Sequence, residues 1–123
     1  MPPRDILERT RQFALAVLEF CRRLPSTSEA NEAASQLRRA ANSVRSNYRC
    51  ARKGRSRAEF QAKLGIAEEE AEECLDWLEY FRDARIREDA VLLDEANQLT
   101  RILAQSLKTA RENTNRTKPV AKR

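Results

Sequence analysis

The chain has 123 residues and a formal net charge of +5, with no histidine and only two glycines. A chain of this length suits one domain with one hydrophobic core. The lack of histidine removes the usual general base and the commonest metal ligand, which excludes Ser-His and Cys-His catalytic pairs and histidine-bound zinc. Two glycines leave no room for a Walker loop or a dinucleotide-binding fingerprint. We therefore expect no enzyme, no cofactor and no metal.

The cysteines and the apolar runs bear on the cellular compartment. Cys21, Cys50 and Cys74 are odd in number and form no Cys-x-x-Cys pair. Charged residues interrupt the N-terminal segment, and no apolar run approaches the roughly 20 residues of a membrane span. We expect a cytoplasmic protein with reduced thiols and no membrane association. Cys21 and Cys74 fall on apolar helix faces, whereas the basic neighbours of Cys50 favour its thiolate form.

Four segments show the 3.6-residue period of an amphipathic helix, at about residues 4–23, 29–53, 57–84 and 89–110. The first has two adjacent apolar stripes, a wider face than a two-helix contact requires. One stripe contains Ile6, Phe13, Val17, Phe20 and Leu24, and the other contains Leu7, Ala14, Leu18 and Cys21. The second has a stripe of mostly small residues, which lets a neighbouring helix approach closely. The third opens with Ser56 and Glu59 in a capping-box pattern. The fourth is rich in leucine, and residues 111–123 are predicted to be a disordered basic tail.

Short connections between long helices favour antiparallel neighbours. The predicted fold is therefore all-α, an antiparallel up-down-up-down four-helix bundle formed by residues 1–110. The third helix has an apolar stripe from Phe60 to Phe81, and the apolar surface beside this stripe exceeds what one small bundle buries. We expect an oligomer interface at Ile66, Trp77 and Tyr80 where these side chains face outward.

The charges are segregated along the chain. Residues 38–63 contain one acid, Glu59, and nine basic residues, which are candidate nucleic-acid contacts: Arg38, Arg39, Arg45, Arg49, Arg52, Lys53, Arg55, Arg57 and Lys63. Residues 64–81 contain seven acids and no base. Four of the arginines, at steps of seven, four and three residues, line one flank of the second helix: Arg38, Arg45, Arg49 and Arg52.

Two interpretations of this pattern remain open. Arginine forks suit phosphate oxygens, and a row of them releases counterions from nucleic acid. The tail residues Arg116, Lys118, Lys122 and Arg123 favour this interpretation. Alternatively, the basic helix pairs with the acidic helix, within one chain or between subunits. The glutamates lie off the apolar stripe and lack histidine partners, so we do not expect them to bind metal.

The two charged segments also resemble a known family. Residues 36–51 are QLRRAANSVRSNYRCA, and residues 55–79 are RSRAEFQAKLGIAEEEAEECLDWLE. This sequence resembles the four-helix-bundle family of 23S ribosomal RNA intervening-sequence proteins, a group that includes the accessory variability determinant proteins of diversity-generating retroelements. The resemblance covers roughly residues 5–110. Cys50 is a departure, since the family usually has Glu there, and a subunit salt bridge made by that Glu would be missing.

The resemblance implies a ring-like homopentamer with a basic surface. In the retroelement members, such an assembly binds RNA or DNA and a partner reverse transcriptase. From the resemblance and the residues together we expect a non-catalytic oligomeric scaffold that binds nucleic-acid backbone through its basic helix. The alternative is a protein-interaction module of the ribosomal RNA type that does not itself bind nucleic acid.

Overall fold

The computed structural model describes residues 3–117, and the side chains of residues 6–115. Within these residues the chain forms four α-helices and no strand: α1 (Pro3–Arg22), α2 (Ser28–Arg52), α3 (Arg57–Asp83) and α4 (Ala90–Thr117). The all-α, four-helix prediction is confirmed. Seven of the eight predicted helix ends lie within one residue of the observed ones.

Side-chain caps define where three of the helices begin. Thr27 Oγ1 accepts a hydrogen bond from the Ala30 amide at 3.2 Å. Ser56 Oγ accepts from the Glu59 amide at 3.1 Å, and a Glu59 carboxylate oxygen accepts from the Arg55 amide at 2.9 Å. Asp89 Oδ1 accepts from the Leu92 amide at 3.0 Å. Each cap satisfies amides that have no partner inside their helix.

The predicted stripes form one core. The α2 stripe has seven residues, and all of them are buried: Ala30, Ala34, Leu37, Ala41, Val44, Tyr48 and Ala51. The α3 stripe also has seven residues, of which only Phe60 is partly buried and the others are fully buried: Leu64, Ala67, Ala71, Cys74, Leu78 and Phe81. Phe20 of α1 meets Phe81 of α3 edge-on, with ring centroids 5.4 Å apart. The α2 and α3 stripes contain many alanines, which let the two helices pack closely.

Two polar contacts tie neighbouring helices together, and the first of them shows that α3 and α4 run in opposite directions. Gln61, near the start of α3, donates from Nε2 to Thr114 Oγ1 at 2.6 Å, near the end of α4. Arg9 of α1 makes a two-pronged ion pair with Glu95 of α4, at 2.7 Å from Nη2 and 3.0 Å from Nε. Because both side chains are largely shielded from water, this pair is a stronger link than a surface ion pair.

The predicted end of the fourth helix is wrong. Helix α4 continues through Thr117, so residues 111–117 are helical rather than part of a tail. The Gln61 side chain contacts the Ala110 carbonyl as well as Thr114, which ties this part of α4 to α3. The chain also has no glycine or proline between residues 90 and 118 to end the helix. Residues 118–123 lie outside the described residues.

Helix α3 ends with a non-glycine residue in the left-handed region, Arg85 at φ 60°. The Ile86 amide donates to the Phe81 carbonyl and the Arg85 amide to the Arg82 carbonyl, both at 3.0 Å. These bonds form a Schellman motif, in which Ile86 packs against the core. No helix within residues 3–117 is long and apolar enough to cross a membrane.

Candidate nucleic-acid interface

The predicted basic flank of α2 forms one wall of an open groove, and α1 forms the other. The groove has a volume of about 820 Å³. Five of the nine predicted cationic residues line it, together with Asn42: Arg38, Arg45, Arg49, Arg52 and Lys53. They follow the α2 axis from Arg38 to Arg52, a distance of about 21 Å at 1.5 Å per residue. The flank is therefore a continuous row of positive charge.

The α1 wall is mainly apolar and carries one acid. Leu7, Ala14, Leu15 and Leu18 face the groove, and Leu15 is 48% exposed. Glu8 and Arg11, also from α1, lie at the groove and form an ion pair at 3.6 Å. Because Glu8 and Arg11 carry opposite charges, α1 adds no net charge to the cations of α2.

The α2 arginines contact neutral groups. Arg45 Nε donates to Asn42 Oδ1 at 3.3 Å, and Arg39 donates to Gln36 Oε1. No arginine of α2 forms an ion pair with a carboxylate among the described side chains. The hypothesis that α2 pairs with acidic α3 inside one chain therefore finds no contact to support it.

Arg38 and Arg52 also interact with groups of the core. Partial burial raises the pKa of the Cys21 thiol, and nearby Arg38 lowers it in part. Burial likewise raises the pKa of the Tyr48 phenol, against which Arg52 acts by hydrogen bonding and by its charge. Arg38 therefore lies close to Cys21, and Arg52 lies close to Tyr48.

The remaining predicted cations lie elsewhere. Arg55 and Arg57 flank the α2–α3 turn, where they line a smaller cleft that also includes Arg52. Arg39 is exposed on α2 but does not line the groove, and Lys63 lies on α3 away from it. Lys118, Lys122, Arg123 and the side chain of Arg116 lie outside the described residues.

The acidic flank of α3 forms a separate surface. Glu69, Glu72 and Asp76 are exposed. Burial and the charges of Glu72 and Glu69 raise the pKa of Glu68, while Arg111 lowers it. At Glu68, repulsion by the neighbouring acids therefore outweighs the attraction of Arg111.

The three residues expected at an oligomer interface differ in exposure. Ile66 is 39% and Tyr80 45% exposed. Trp77 is partly buried against the core, where its Nε1 donates to Glu73 Oε2 at 3.4 Å and its ring meets Tyr80 edge-on. The structure thus leaves only two of the three as exposed apolar surface. Among the described residues, no group of Cys, Asp or Glu is arranged to hold a metal ion.

Two features of the structure were absent from the sequence prediction. One is the α1 wall, although the second apolar stripe of α1, with Leu7 and Leu18, was a signal of it. The other is the Arg9–Glu95 ion pair, which joins residues 86 positions apart and left no signal in the sequence pattern.

The comparison with known proteins agrees with this fold. The family model described as "23S rRNA-intervening sequence protein" matches residues 4–107. The chain belongs to this family. The match includes the whole basic groove, and within α4 it ends ten residues before Thr117.

A solved structure is similar to this 23S rRNA-intervening sequence protein over most of its length. It is described as a protein with unknown function from the S23 ribosomal protein family of Bacteroides thetaiotaomicron, solved at 1.70 Å. The similarity has a TM-score of 0.80 and 23% sequence identity, and covers 88% of this chain and 99% of that one. At this identity, the similarity supports the fold alone. No curated protein sequence matches the chain.

Proposed function

We propose that this protein is a non-catalytic oligomeric scaffold that binds the phosphate backbone of nucleic acid in the groove between α1 and α2. The observation that carries the proposal is the charge of that groove, which six cationic side chains and one carboxylate line. The carboxylate, Glu8, is already paired with Arg11. Phosphate oxygens are the ligands that best match a row of guanidinium groups whose present partners are neutral.

The row also has a suitable length. The row of about 21 Å is long enough to face several successive phosphates of one strand. Guanidinium contacts to phosphate carry no sequence information. Affinity should therefore depend strongly on salt and weakly on base sequence.

A salt titration tests the proposal. With five groove cations engaged, the slope of log affinity against log salt should be about −3.5 to −4.5. Raising the salt from about 50 to 200 mM then weakens binding about 100-fold or more, as followed by fluorescence anisotropy of labelled RNA and DNA. Binding that is absent or insensitive to salt would contradict the proposal.

A matched pair of double variants tests whether the α2 arginines contact the phosphates. Arg45→Gln with Arg49→Gln should reduce the steepness of the slope by about 1.5 to 2, because two phosphate contacts are lost. Arg22→Gln with Arg23→Gln removes the same charge from exposed residues at the end of α1, which pair with Glu19. This control should leave the slope nearly unchanged, and equal losses in both variants would show only an effect of net charge.

A protein-interaction module is the second candidate, and the exposed Ile66 and Tyr80 on α3 favour it. Apolar side chains beside exposed acids suit a basic partner surface or a second copy of the chain. Assembly into a ring, as the family resemblance implies, would use such a face. Light scattering of the wild type and of Ile66→Ser with Tyr80→Ser tests whether this face holds the subunits together.

A reverse transcriptase is the partner that the resemblance to retroelement members implies. Nuclease treatment before a pull-down separates the two candidates, because a protein contact survives it and a contact bridged by nucleic acid does not. Recovery of a reverse transcriptase after nuclease would favour the protein-interaction module.

A further inference from the structure

A second pocket continues the groove at its Arg52 end. It has a volume of about 610 Å³ and lies between all four helices, with Ile6 from α1 and Leu64 from α3 on its walls. Arg52 lines both the groove and this pocket. The two cavities therefore adjoin the same side chain, and a strand lying along α2 in the groove would enter the pocket by passing Arg52.

The pocket lining differs from that of the groove. Phe60, which is only partly buried, supplies an aromatic ring, and Ile102 adds an apolar side chain. Tyr48 also lines the pocket but is only 6% exposed. Gln105 and Ser106, both from α4, supply hydrogen-bonding groups. Flat aromatic and apolar surface with a few polar groups is the environment in which proteins bind an unstacked nucleobase.

Positive charge lies at this pocket as well as in the groove. Arg101 of α4 lines it opposite Arg52 of α2. A base bound between them carries its own phosphate, for which the two guanidinium groups are suitable partners. The volume exceeds what a single base needs, so the sugar and phosphate fit with it.

The apolar wall of the groove indicates which form of nucleic acid fits. A duplex presents phosphates and sugars on its outside and keeps its bases paired within, so it offers nothing to Leu15 or Leu18. A single strand presents phosphates along one edge and bases along the other. Its phosphates match the α2 wall and its bases match the α1 wall.

From these observations we propose that the pocket at Arg52 binds a nucleobase of a single-stranded nucleic acid whose phosphates lie along α2. The inference rests on the proposed backbone binding and adds the strandedness of the ligand and a site for one base. RNA and DNA share the bases and phosphates that the site recognises, so both belong to the ligand class.

The test compares short single strands of RNA and DNA with a duplex of equal phosphate number. The single strands should bind at least about tenfold more tightly than the duplex at the same salt concentration. Ser106→Trp fills the pocket without removing a cation and should abolish this preference, while Ser106→Ala keeps it. The arm with the higher affinity identifies the sugar of the natural ligand.

A second measurement does not depend on the variant's folding. A single strand that carries one 2-aminopurine should change its fluorescence on binding to the wild-type protein, because stacking on Phe60 alters the emission of that base. Phe60→Leu keeps the apolar volume and should remove most of the change.

The outcomes separate the two proposals. Equal affinity for single strand and duplex, with no effect of Ser106→Trp, would overturn the base pocket and leave backbone binding in place. Competition by polyglutamate as strong as by the strand would also overturn it, since the groove would then accept any polyanion. No salt-sensitive binding of any nucleic acid would overturn both.

Discussion

Helices α2 and α3 share a buried pattern and differ in what lies beside it. Both have a stripe stepping alternately four and three residues, and both stripes are buried almost throughout. The α2 flank of arginines opens onto the groove with α1, whereas the exposed acids of α3 lie outside that groove. Two adjacent helices of opposite charge thus belong to different surfaces. Charge segregation along a sequence does not by itself show that the two segments pair.

The packing explains why these helices do not neutralise each other. The arginines at positions 38, 45, 49 and 52 share one face of α2, which is the face beside α1. The buried residues of α2 are mostly alanines, and those of α3 include Ala67 and Ala71. Close backbone approach through alanines leaves little space for long charged side chains between the helices.

The largest expected difference between the two helices is in thiol reactivity. Cys50 is exposed on α2, and Cys74 is buried on α3, where burial and then Glu70 and Glu73 raise the pKa of its thiol. Iodoacetamide at mild alkaline pH should label Cys50 at least about a thousandfold faster, because Cys74 reacts only when the bundle opens. Mass spectrometry of the labelled peptides measures both rates, and in urea they should become similar. Comparable rates without urea would contradict the buried α3 stripe.

The same thiol gives the stability of the bundle a pH dependence. Because the folded pKa of Cys74 lies above the unfolded value, the native state retains a proton that the unfolded chain loses. The stability that this protonated thiol gives the folded state is complete below about pH 9 and falls as the pH rises further. Cys74→Ala should remove this part of the alkaline loss of stability in urea unfolding.

The two glycines should respond to alanine in opposite directions. At Gly54, in the α2–α3 turn, a Cβ atom would lie 3.1 Å from the Ala51 carbonyl oxygen and 3.2 Å from the Phe60 amide nitrogen. Gly54→Ala should therefore lower the free energy of unfolding by about 1–3 kcal/mol. At Gly65, within α3, the Cβ atom meets only Leu107 at 3.8 Å. Gly65→Ala should raise the free energy of unfolding by about 0.5–1 kcal/mol, because alanine has a higher helix propensity than glycine.

Urea denaturation measures both changes in the free energy of unfolding. A substitution at an exposed site of α3 gives the size of the alanine–glycine difference without any packing effect. Ala62→Gly on the outside of α3 should lower the free energy of unfolding by about 0.5–1 kcal/mol. A stabilising Gly54→Ala would show that the turn between the two helices relaxes without cost.

The smallest expected effect is on the acidic flank. Glu69→Gln, Glu72→Gln and Asp76→Asn together should raise nucleic-acid affinity by less than about threefold at physiological salt, because charges beyond a Debye length are largely screened. Anisotropy titration against the wild type measures the change. A rise of tenfold or more would break the comparison, since it would indicate that these acids occupy the groove of a neighbouring subunit.

Much of this protein follows from local pattern. Periodicity located the buried stripes, and the Ser56–Glu59 pattern located the start of α3, because caps and helix faces depend on residues close in sequence. Apolar periodicity did not locate the end of α4, since residues 111–117 have no apolar side chain, and Thr114 is held by Gln61 of α3. Arg85 likewise occupies a conformation that favours glycine, because Ile86 packs against the core.

For the candidate site, the sequence by itself determined the row of α2 arginines, because helical spacing fixes which residues share a face. Only the tertiary structure decided what that face meets. Leu15 and Leu18 became a groove wall, and Arg52 came to lie between the groove and a pocket that Phe60 and Ser106 also line. Those contacts join residues far apart in the chain, and the packing angles and distances between helices that create them are not written in any local stretch of sequence.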